Sequence, residues 1–421
     1  MNDNQHIPTG YKPSPLGPIP EDWEVKRLGE ICDYVDYRGK SPDKVSNGVF
    51  LVTAKNIREG FIDYEISKEY IPKEDFEIVM RRGKAEVGDV LITTEAPLGH
   101  VAQIDNPNIA LAQRVIKYRG KGNILNTFLK YFLMSETFQT ILIANATGST
   151  ALGIKGSRLH QLQIIVPSIN EQEKIISLLQ LWDTAIAKQS ALIEKLTLCK
   201  RGLMQQLLTG KKRLKGFSGE WKEVRLGDVG AAYSGLINKN KDDFENGNAL
   251  FITYMNVFSN GKINTNNLGQ VRILPSEKQE KVQYGDIFFT VSSETPDEVG
   301  MASVLLNEIQ NTYLNSFCFG YRLNDFKTII PIYASYFFRG NDFRKEMFKI
   351  AQGSTRFNIS KTEVLSMIIT IPSIEEQNAI ASVLVNADKE IEIQKQKLAA
   401  MQEQKKGLMQ VLLTGKRRIN K

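Results

Sequence analysis

Residues 148–210 read GSTALGIKGSRLHQLQIIVPSINEQEKIISLLQLWDTAIAKQSALIEKLTLCKRGLMQQLLTG, and much of this stretch occurs a second time in the chain. In residues 353–415 the same landmarks recur in the same order, from GST through IPSIEEQ to KGLMQVLLTG. A repeat of this length is too long for a solenoid, so each copy can bury a hydrophobic core of its own. The sequence therefore predicts two equivalent, pseudo-symmetric units.

Each copy contains an apolar seam. Apolar residues recur at alternating three- and four-residue steps over about five heptads, which predicts a long helix with a coiled-coil surface. In the first copy the seam positions are Ile175, Leu179, Trp182, Ile186, Gln189, Ile193, Leu196, Lys200, Leu203 and Leu207. In the second copy they are Ile380, Leu384, Ala387, Ile391, Gln394, Leu398, Met401, Lys405, Leu408 and Leu412.

A helix from residue 171 to residue 209 would be roughly 60 Å long, and its apolar stripe is too narrow for the core of one globule. We expect the two helices to pair in antiparallel orientation, with the globular units at opposite ends of a rod. The polar seam residues leave alternatives open. Gln189 and Gln394 either meet and fix the register or lie at the solvated edge, whereas Lys200 and Lys405 either snorkel or mark where another subunit's helix packs.

A globular unit precedes each long helix, and its landmarks also repeat. Trp23 and Trp221 are expected to anchor the two cores, and strand-like segments follow Gly-Asp turns at Asp89 and Asp286. With helical spacing later in each unit, the predicted fold class is α+β, with two mixed α/β domains separated by two long antiparallel coiled-coil helices. The predicted boundaries are an N-terminal tail at 1–18, domain 1 at 19–168, a central spacer helix at 169–212, domain 2 at 213–373 and a C-terminal spacer helix at 374–416.

The polar loop residues differ between the copies although the framework repeats. Arg, Lys, Asn and Gln side chains on loops reach phosphates and base edges, so two such frameworks would read two DNA sequences; the alternative for each residue is solvated surface. The candidate DNA-binding residues of domain 1 are Arg38, Lys40, Lys55, Asn56, Arg58, Arg81, Arg82, Lys84, Arg114, Lys155 and Arg158. Those of domain 2 are Lys239, Lys241, Tyr254, Asn256 and Arg356, with Ser316 in the region comparable to Arg114.

Three matched pairs of polar residues admit two interpretations. Thr53 matches Thr253, Asn56 matches Asn256, and Thr93 matches Thr290. These side chains either contact phosphates in both domains or form strand-end hydrogen bonds.

Composition and motifs argue against several protein classes. Three cysteines without CxxC spacing and three scattered histidines predict neither disulfides nor a metal site. Without a long apolar run or an N-terminal signal, a soluble, cytoplasmic protein is expected. The net charge of +7 favours a polyanionic partner. Because the chain lacks a GxxxxGK[ST] loop, a GxGxxG fingerprint and a [DN]PP[YF] motif, we predict no catalytic residues.

The paired PSIxEQ helix starts, the paired GLMQxLLTGK helix ends, the GST turns and IPEDWEVKRLGEI near the N-terminus together resemble the specificity subunit of a type I restriction-modification system. The resemblance covers nearly the whole chain. It implies a noncatalytic subunit in which each globular unit is a target-recognition domain for one half of a bipartite, asymmetric DNA sequence. The seam and the helix ends match the family pattern, whereas base-reading residues cannot be carried over.

The resemblance also implies partners. Two modification (methyltransferase) subunits would dock on the seam-bearing helices and on the recognition domains, and restriction (translocase/nuclease) subunits would join them around one copy of this chain. The partners would bring S-adenosylmethionine, ATP and Mg; this chain would hold no cofactor itself and contact no membrane. Two rivals remain: an adaptor joining peptide- or RNA-binding modules, and a transcriptional regulator that binds its site alone.

Overall fold

The computed structural model describes residues 7–37, 42–149 and 151–419. The chain divides into two compact units: unit 1 combines Met1–Ser190 with Gln396–Lys421, and unit 2 is Ala191–Lys395. Each unit therefore contains a globular part and a portion of both long helices. The predicted mixture of helices and strands is confirmed in both units.

Unit 1 is built from short strands and short helices that lead into a long helix. Its strands are β1 (Tyr11–Lys12), β2 (Ile19–Pro20), β3 (Glu24–Arg27), β4 (Cys32–Asp36), β5 (Val49–Val52), β6 (Tyr70–Ile71), β7 (Val90–Thr94), β8 (Leu98–Gln103), β9 (Ile109–Leu111), β10 (Val115–Gly120) and β11 (Gln163–Val166). Its helices are α1 (Leu28–Ile31), α2 (Phe76–Val79), α3 (Asn126–Met134), α4 (Glu136–Ala144), α5 (Gly156–Leu159) and the first part of α6 (Ile169–Leu207), with 3-10 turns at Ala54–Asn56 and Lys73–Asp75.

The central sheet of unit 1 has the strand order β4-β10-β7-β8 with antiparallel neighbours. A second sheet has the order β6-β5-β9, in which β5 and β9 are parallel. Strand β3 pairs with β11, which brings the start of the domain next to the strand that leads into α6.

Unit 2 repeats these elements. Its strands are β12 (Lys222–Arg225), β13 (Gly230–Ser234), β14 (Ala249–Ile252), β15 (Gly269–Val271), β16 (Ile287–Thr290), β17 (Ser292–Ser293), β18 (Ala302–Val304), β19 (Thr312–Leu314), β20 (Cys318–Leu323), β21 (Phe357–Asn358) and β22 (Ile368–Ile371). Its helices are α7 (Leu226–Val229), α8 (Tyr254–Ser259), α9 (Pro331–Phe337), α10 (Asn341–Lys349), α11 (Lys361–Ser366) and the first part of α12 (Ile374–Leu412), with a 3-10 turn at Lys241–Phe244.

The sheets of unit 2 follow the topology of unit 1. The central sheet has the order β13-β20-β16-β18, and the second sheet has the order β15-β14-β19 with β14 and β19 parallel. Strand β12 pairs with β22, as β3 pairs with β11. The duplication inferred from the sequence is therefore a duplication of fold.

The helical spacing after the last central strand corresponds to two helices in each unit. In unit 1 the break is at Ser135, whose hydroxyl accepts a hydrogen bond from Phe138 N at 3.3 Å and so caps α4. In unit 2 the equivalent break is at Gly340. A capping serine favours a new helix start over continuation because its side chain satisfies an otherwise free backbone N–H.

The tryptophan predicted to anchor each core does so to a different extent. Trp23 is fully buried in the core of unit 1, where Ile19 of the N-terminal segment is also buried. The same segment is tied to the end of α12, because the Tyr11 hydroxyl donates to the Gly415 carbonyl at 2.7 Å. Trp221 is only partly buried at the edge of the unit 2 core.

The repeated PSIxEQ sequence locks the start of each long helix to its domain. Gln172 is fully buried; its amide oxygen accepts from Leu125 N at 2.8 Å, and its amide nitrogen donates to the carbonyls of Asn123 (3.0 Å) and Pro167 (2.9 Å). Gln377 repeats all three hydrogen bonds at 3.1, 2.8 and 3.0 Å, with the backbone groups of Ile330, Thr328 and Pro372.

The glutamate before each glutamine binds the anchoring tryptophan and an arginine beyond the other long helix. In unit 1 the Glu171 carboxylate accepts from Trp23 Nε1 at 2.8 Å and from Arg418 at 2.9 and 2.6 Å. In unit 2, Glu376 accepts from Trp221 Nε1 at 3.2 Å and from Arg213 at 2.6 Å in both hydrogen bonds. The repeated Glu-Gln pair thus connects the globular domain and the start of one long helix with the residues that follow the end of the other long helix.

The lysines that interrupt the seam pair with aspartates of the opposite helix. In unit 1, Lys405 pairs with Asp183, which also accepts from the Tyr131 hydroxyl at 2.5 Å. In unit 2, Lys200 pairs with Asp388 at 2.5 Å, and the Tyr336 hydroxyl donates to that carboxylate at 2.6 Å. Each ammonium is ion-paired within this chain and does not snorkel into solvent, whereas packing of another subunit's helix at these lysines stays a prediction.

These contacts give the helices their relative direction within each unit. In unit 1, Glu171 near the start of α6 binds Arg418, which follows the end of α12. Asp183, further along α6, pairs with Lys405, which comes earlier in the chain than Arg418, so the two segments are antiparallel. The same order holds in unit 2, from Asp388 to Glu376. Every predicted seam residue is buried or half-buried on its helix.

In the part of the chain that the structure describes, no helix combines the length and the apolar character needed to cross a bilayer.

The glutamine junction makes a stability prediction. Gln172→Ala should lower the free energy of unfolding by about 1–3 kcal/mol, because three backbone groups lose a buried partner. The measurement is urea unfolding of the full chain. Gln180→Ala is the matched control, since Gln180 is exposed on the same helix and its loss should change stability by less than about 0.5 kcal/mol. Equal effects of the two variants would contradict the assigned role of Gln172.

Candidate nucleic-acid interface

One end of the central sheet collects most of the predicted basic residues in unit 1. Strands β4 and β7 are both antiparallel to β10, so the chain leaves β4 and β7 and enters β10 at the same end. Strand β5 ends there too, because Ala112 N, just before β10, donates to Val52 O at 2.9 Å. We call this end of the central sheet the strand-exit edge; in unit 2 the exits of β13, β14 and β16 and the start of β20 define it.

Backbone hydrogen bonds join described residues on either side of the repeated GST sequence at this edge. In unit 1, Thr147 and Gly153 exchange backbone hydrogen bonds of 2.8 and 2.9 Å, and Ile154 N donates to Thr94 O at the end of β7. Gly148 has φ 125°, and a Cβ there would lie 2.1 Å from the Ala151 carbonyl oxygen. A residue with a side chain would therefore clash, which explains why glycine opens the hairpin.

The hairpin of unit 2 has the same geometry. Gln352 and Asn358 exchange hydrogen bonds of 2.9 and 2.8 Å, and Ile359 N donates to Val291 O at 3.0 Å. Gly353 has φ 132°, and a Cβ there would lie 2.1 Å from the Arg356 carbonyl oxygen. The two GST turns are thus structural repeats that present the following residues at the strand-exit edge.

Four predicted DNA-binding residues of domain 1 lie on segments that form this edge. Lys55, Arg114, Lys155 and Arg158 are all exposed. Arg114 has a positive φ of 68°, and its guanidinium is 3.4 Å from the Glu95 carboxylate. A non-glycine residue in this conformation is uncommon, and such residues cluster at functional sites. Arg158 donates to the Asn145 side chain at 2.8 Å.

A second basic group lies on the turn after α2, beside the end of β4. Arg81, Arg82 and Lys84 are exposed there, and Arg82 donates to Asp36 O at 2.9 Å. The Tyr37 hydroxyl donates to the carbonyl of Gly83 in the same turn. The predicted residues Arg38 and Lys40 lie outside the described residues.

The remaining predicted cations differ in how closely they are paired. Arg58 is exposed and lies 4.0 Å from Asp63, whereas Lys84 pairs with Glu77 at 2.6 Å. In unit 2, Lys239 donates to Arg272 O at 2.6 Å and pairs with Glu277 at 2.5 Å.

The structure separates the two domain 2 lysines from the strand-exit edge. Arg272, the partner of Lys239, follows the end of β15, which is paired with the start of β14. Lys241 begins a 3-10 turn whose Asp243 binds the same Arg272 at 2.9 Å. Because the edge is at the other end of β14, Lys239 and Lys241 do not join Arg356 there.

Tyr254 and Arg356 do meet the strand-exit edge in unit 2. The Tyr254 hydroxyl donates to the Ser292 carbonyl at 3.1 Å, and burial raises the pKa of this half-buried phenol. Arg356 is exposed on the GST hairpin. The tyrosine therefore supports the edge, whereas the arginine is available to a ligand.

Two predicted DNA-binding residues, Asn56 and Asn256, are instead buried framework residues. Asn56 donates to the carbonyls of Asp63 (3.1 Å) and Ile66 (2.7 Å) and accepts from Thr53 N at 2.9 Å. Asn256 likewise donates to two carbonyls, those of Asn264 and Asn267, each at 2.8 Å, but accepts from Asn264 N at 2.9 Å. Their amides are fully occupied in closing a loop, so direct base contact by either residue is corrected to a structural role.

The threonine pair on the central strands also belongs to the framework. Thr93 and Thr290 are fully buried, and their hydroxyls accept from His100 N and Met301 N, each at 2.9 Å. Of the two interpretations of these residues, the strand-end hydrogen bond is confirmed.

A charged cluster fixes the opposite end of the central sheet. Asp89 accepts two hydrogen bonds from Arg119 (2.6 and 2.8 Å) and one each from Lys117 (2.9 Å) and Glu86 N (3.0 Å). Burial raises the pKa of this carboxyl, but these hydrogen bonds outweigh burial and hold the pKa below its usual value. The predicted Gly-Asp turn at Asp89 is confirmed, and the Asp89 carboxylate caps it by accepting from Glu86 N.

Unit 2 builds the same cluster with a different partner. Asp286 is bound by Arg322 at 2.8 Å in both hydrogen bonds, and the Tyr233 hydroxyl, at 2.6 Å, takes the place of the Lys117 ammonium. Residue 320, at the position of Lys117, is glycine; a Cβ there would lie 2.1 Å from the Tyr233 ring. The smaller residue on β20 makes room for the larger one on β13.

Comparison with known proteins identifies the family to which this chain belongs. The sequence model described as the type I restriction modification DNA specificity domain matches twice, at residues 20–198 and 218–403. The chain belongs to this family.

Individual relatives agree with the family assignment. The type I restriction enzyme MjaVIII specificity subunit of Methanocaldococcus jannaschii is 24% identical over 426 residues, which cover 95% of this chain and 94% of the relative. The relative is named for specificity, and the present chain is likewise a noncatalytic specificity subunit with two DNA recognition domains.

Solved structures show the same fold. A chain of a type I restriction-modification system, solved for its complex assembly and conformational transition, has a TM-score of 0.64 at 18% identity, with 95% of this chain and 99% of that chain covered. The type I restriction-modification S subunit from M. genitalium has a TM-score of 0.50 at 15% identity, covering 93% and 96%. The specificity-subunit fold is therefore shared at low sequence identity.

Tyr233 and Gly320 lie side by side in the central sheet of the specificity subunit's second domain, so the effects of substituting them should be strongly coupled. Gly320→Lys should lower the free energy of unfolding by about 1–3 kcal/mol, because the new side chain overlaps the Tyr233 ring. Adding Tyr233→Val should recover most of the loss, since the lysine can then bind Asp286 as Lys117 binds Asp89. Thermal or urea unfolding of the two single variants and the double variant measures the coupling. If the stability losses of the two single variants simply added in the double variant, the proposed exchange of side chains would be contradicted.

Proposed function

We propose that this specificity subunit reads a bipartite, asymmetric DNA target with one domain for each half-site. In this proposal residues 19–168 and 213–373 are the two reading domains, residues 1–18 form a tail, and the helices at 169–212 and 374–416 set the spacing between half-sites. The observation that carries the proposal is that equivalent strand-exit edges have the same framework but different exposed side chains. Shared backbone geometry with divergent surface chemistry is what two sequence readers require.

The edge of domain 1 supplies the cations expected at a DNA surface. The side chains of Lys55 and Lys155 are exposed and make no ion pair or hydrogen bond to another residue within the described ranges. Arg81 is also exposed, and Arg114 forms only a partly exposed ion pair with Glu95 at 3.4 Å, which contributes little and can be exchanged for a phosphate. Binding of phosphates by such groups releases counterions from DNA, so affinity should fall steeply with salt.

The long helices supply surface for partner subunits. Leu181 on α6 is 66% exposed, Leu198 on α6 is 60% exposed and Ile393 on α12 is 57% exposed, and all three lie off the seam. We place two modification subunits on these helices and on the reading domains, with restriction subunits joining them in the cytoplasm around one copy of the chain. S-adenosylmethionine, ATP and Mg would enter through those partners. For Gln189 and Gln394 both alternatives, a contact that fixes the register of the helices or a position at the solvated edge, stay predictions.

The proposal is tested by mapping methylated bases in cells that express the cognate methyltransferase, with and without this chain. The expected result is a bipartite motif with methyladenine in both halves that disappears when this chain is absent. If an active, bound methyltransferase gave no chain-dependent motif, the reading function would be wrong and the adaptor alternative would take its place.

Independent reading by the two domains predicts a modular response. Replacing residues 20–166 with the equivalent region of another family member should change one half-site and leave the other half-site and the gap as they were. The methylation map measures both halves at once. A change in both half-sites would show that the domains do not read independently.

Spacing by the helices predicts a change in the gap. Duplicating the heptads at residues 183–189 and 388–394 together should lengthen the helix pair by about 10 Å. The unread gap should then grow by about one to three base pairs, at about 3.4 Å per step. Seven residues inserted between Ser218 and Gly219, which are exposed outside the helices, are the control and should leave the gap unchanged. An unaltered gap in the duplication variant would contradict the spacing role.

A further inference from the structure

Backbone hydrogen bonds define equivalent positions at the two strand-exit edges. Thr94 N donates to Arg114 O at 2.8 Å in unit 1, and Val291 N donates to Phe317 O at 3.0 Å in unit 2. Arg114 is therefore equivalent to Phe317 and not to Ser316, the residue that sequence comparison placed in its region. The sequence match missed this because the loops before β10 and β20 share no side chains that align them.

A second pair of positions is equivalent by the same criterion. Ala112 N donates to Val52 O at 2.9 Å, and Asn315 N donates to Ile252 O at 3.0 Å, so β5 and β14 end at the same place in the two units. Counting on from these strand ends, Lys55 corresponds to Met255. Both cations of domain 1 are thus replaced by apolar residues in domain 2.

The two apolar residues are exposed although the surrounding framework is buried. Met255 is 57% exposed and Phe317 is 61% exposed. A single exposed apolar side chain is ordinary, but two at positions held by cations in the sister domain form a different kind of surface.

Phe317 is held in place by its backbone. Its N–H donates to the Asn315 side chain at 2.8 Å, and its carbonyl accepts from Val291 N. The ring therefore projects from a fixed segment, which lowers the conformational entropy cost when a ligand covers it.

Two cations lie at the same strand-exit edge as this apolar pair. Arg356 is exposed on the GST hairpin, and the half-buried Lys361 donates to the Ser234 hydroxyl at the end of β13. A surface that offers both apolar side chains and cations suits duplex DNA, which presents base edges as well as phosphates. Thymine offers a methyl group in the major groove for such apolar contact, whereas Arg and Lys recognise guanine acceptors or phosphates.

We propose that Phe317 and Met255 determine the specificity of domain 2 through apolar contact with thymine methyl groups, at the positions where domain 1 uses Arg114 and Lys55. This inference rests on the proposed function, because it assigns the mode of reading at one of the two half-sites. The two domains then recognise DNA by different chemistry on one backbone framework.

The experiment uses the full chain assembled with its methyltransferase and compares Phe317→Ala and Met255→Ala with the matched variants Arg114→Ala and Lys55→Ala. Methylation maps should show relaxed specificity in half-site 2 for the first pair and in half-site 1 for the second. Binding to a duplex carrying the mapped target should weaken about tenfold for each base that is no longer recognised. The salt slope should be unchanged for the apolar variants and should fall by about 0.9 for each phosphate that the cationic variants no longer bind.

Uracil in place of thymine tests the methyl contact itself, since uracil lacks only that group. Uracil at the contacted positions of half-site 2 should weaken binding of the unmodified complex but have no further effect on the double variant Phe317→Ala/Met255→Ala, which lacks both apolar contacts. Unfolding curves of the four variants control for stability and should match the unmodified chain, because all four side chains are exposed.

Three results would overturn the inference. The first is an unchanged half-site 2 in both apolar variants, with the chain-dependent motif intact, which would leave the proposed function standing. The second is loss of methyltransferase binding in Phe317→Ala with an intact motif preference, which would make the apolar pair a protein-docking surface. The third is the absence of any chain-dependent motif in the unmodified complex, which would overturn the proposed function and this inference together.

Discussion

The Tyr-Asp-Lys contact between each domain and the helix pair is the constraint on which the rest of the structure depends. Asp183 accepts from Tyr131 of domain 1 and pairs with Lys405 of the other helix. One carboxylate thereby fixes three segments of unit 1, and an equivalent contact at Asp388 does the same in unit 2. Because a half-buried charge without its partner is costly, a slip of the helices by one turn would expose or strand these groups. The contact thus selects one register.

A fixed framework allows the reading surface to vary. Buried groups such as Gln172 and Asn56 recur in both copies because each satisfies several backbone groups, and a change at either would leave them without partners. The exposed side chains of the strand-exit edge do not have to satisfy buried backbone groups. Arg114 and Phe317 can therefore differ completely while their backbones make the same hydrogen bond. Divergence of specificity on a common fold follows from this division.

Much of the architecture could be predicted from the sequence because it depends on periodicity and repetition. The long helices begin at the expected residues, Ile169 and Ile374, but end at Leu207 and Leu412, five and four residues before the expected ends at 212 and 416. Burial and long-range pairing could not be predicted. Asn56 has the side chain of a base reader, and only the structure shows its amide enclosed by a loop. The Asp183–Lys405 pair requires the antiparallel register, and Phe317 was missed because its equivalence to Arg114 exists only in the backbone.

The most direct test of the account is hydrogen–deuterium exchange of the assembled complex with and without its target duplex. We predict that DNA slows exchange at both strand-exit edges, in residues 53–58, 112–114 and 147–158 of domain 1 and residues 253–258, 315–317 and 352–361 of domain 2. Protection confined to the opposite end of the central sheets, around Asp89 and Asp286, would contradict the account, because the shared framework and not the divergent edge would then face the DNA.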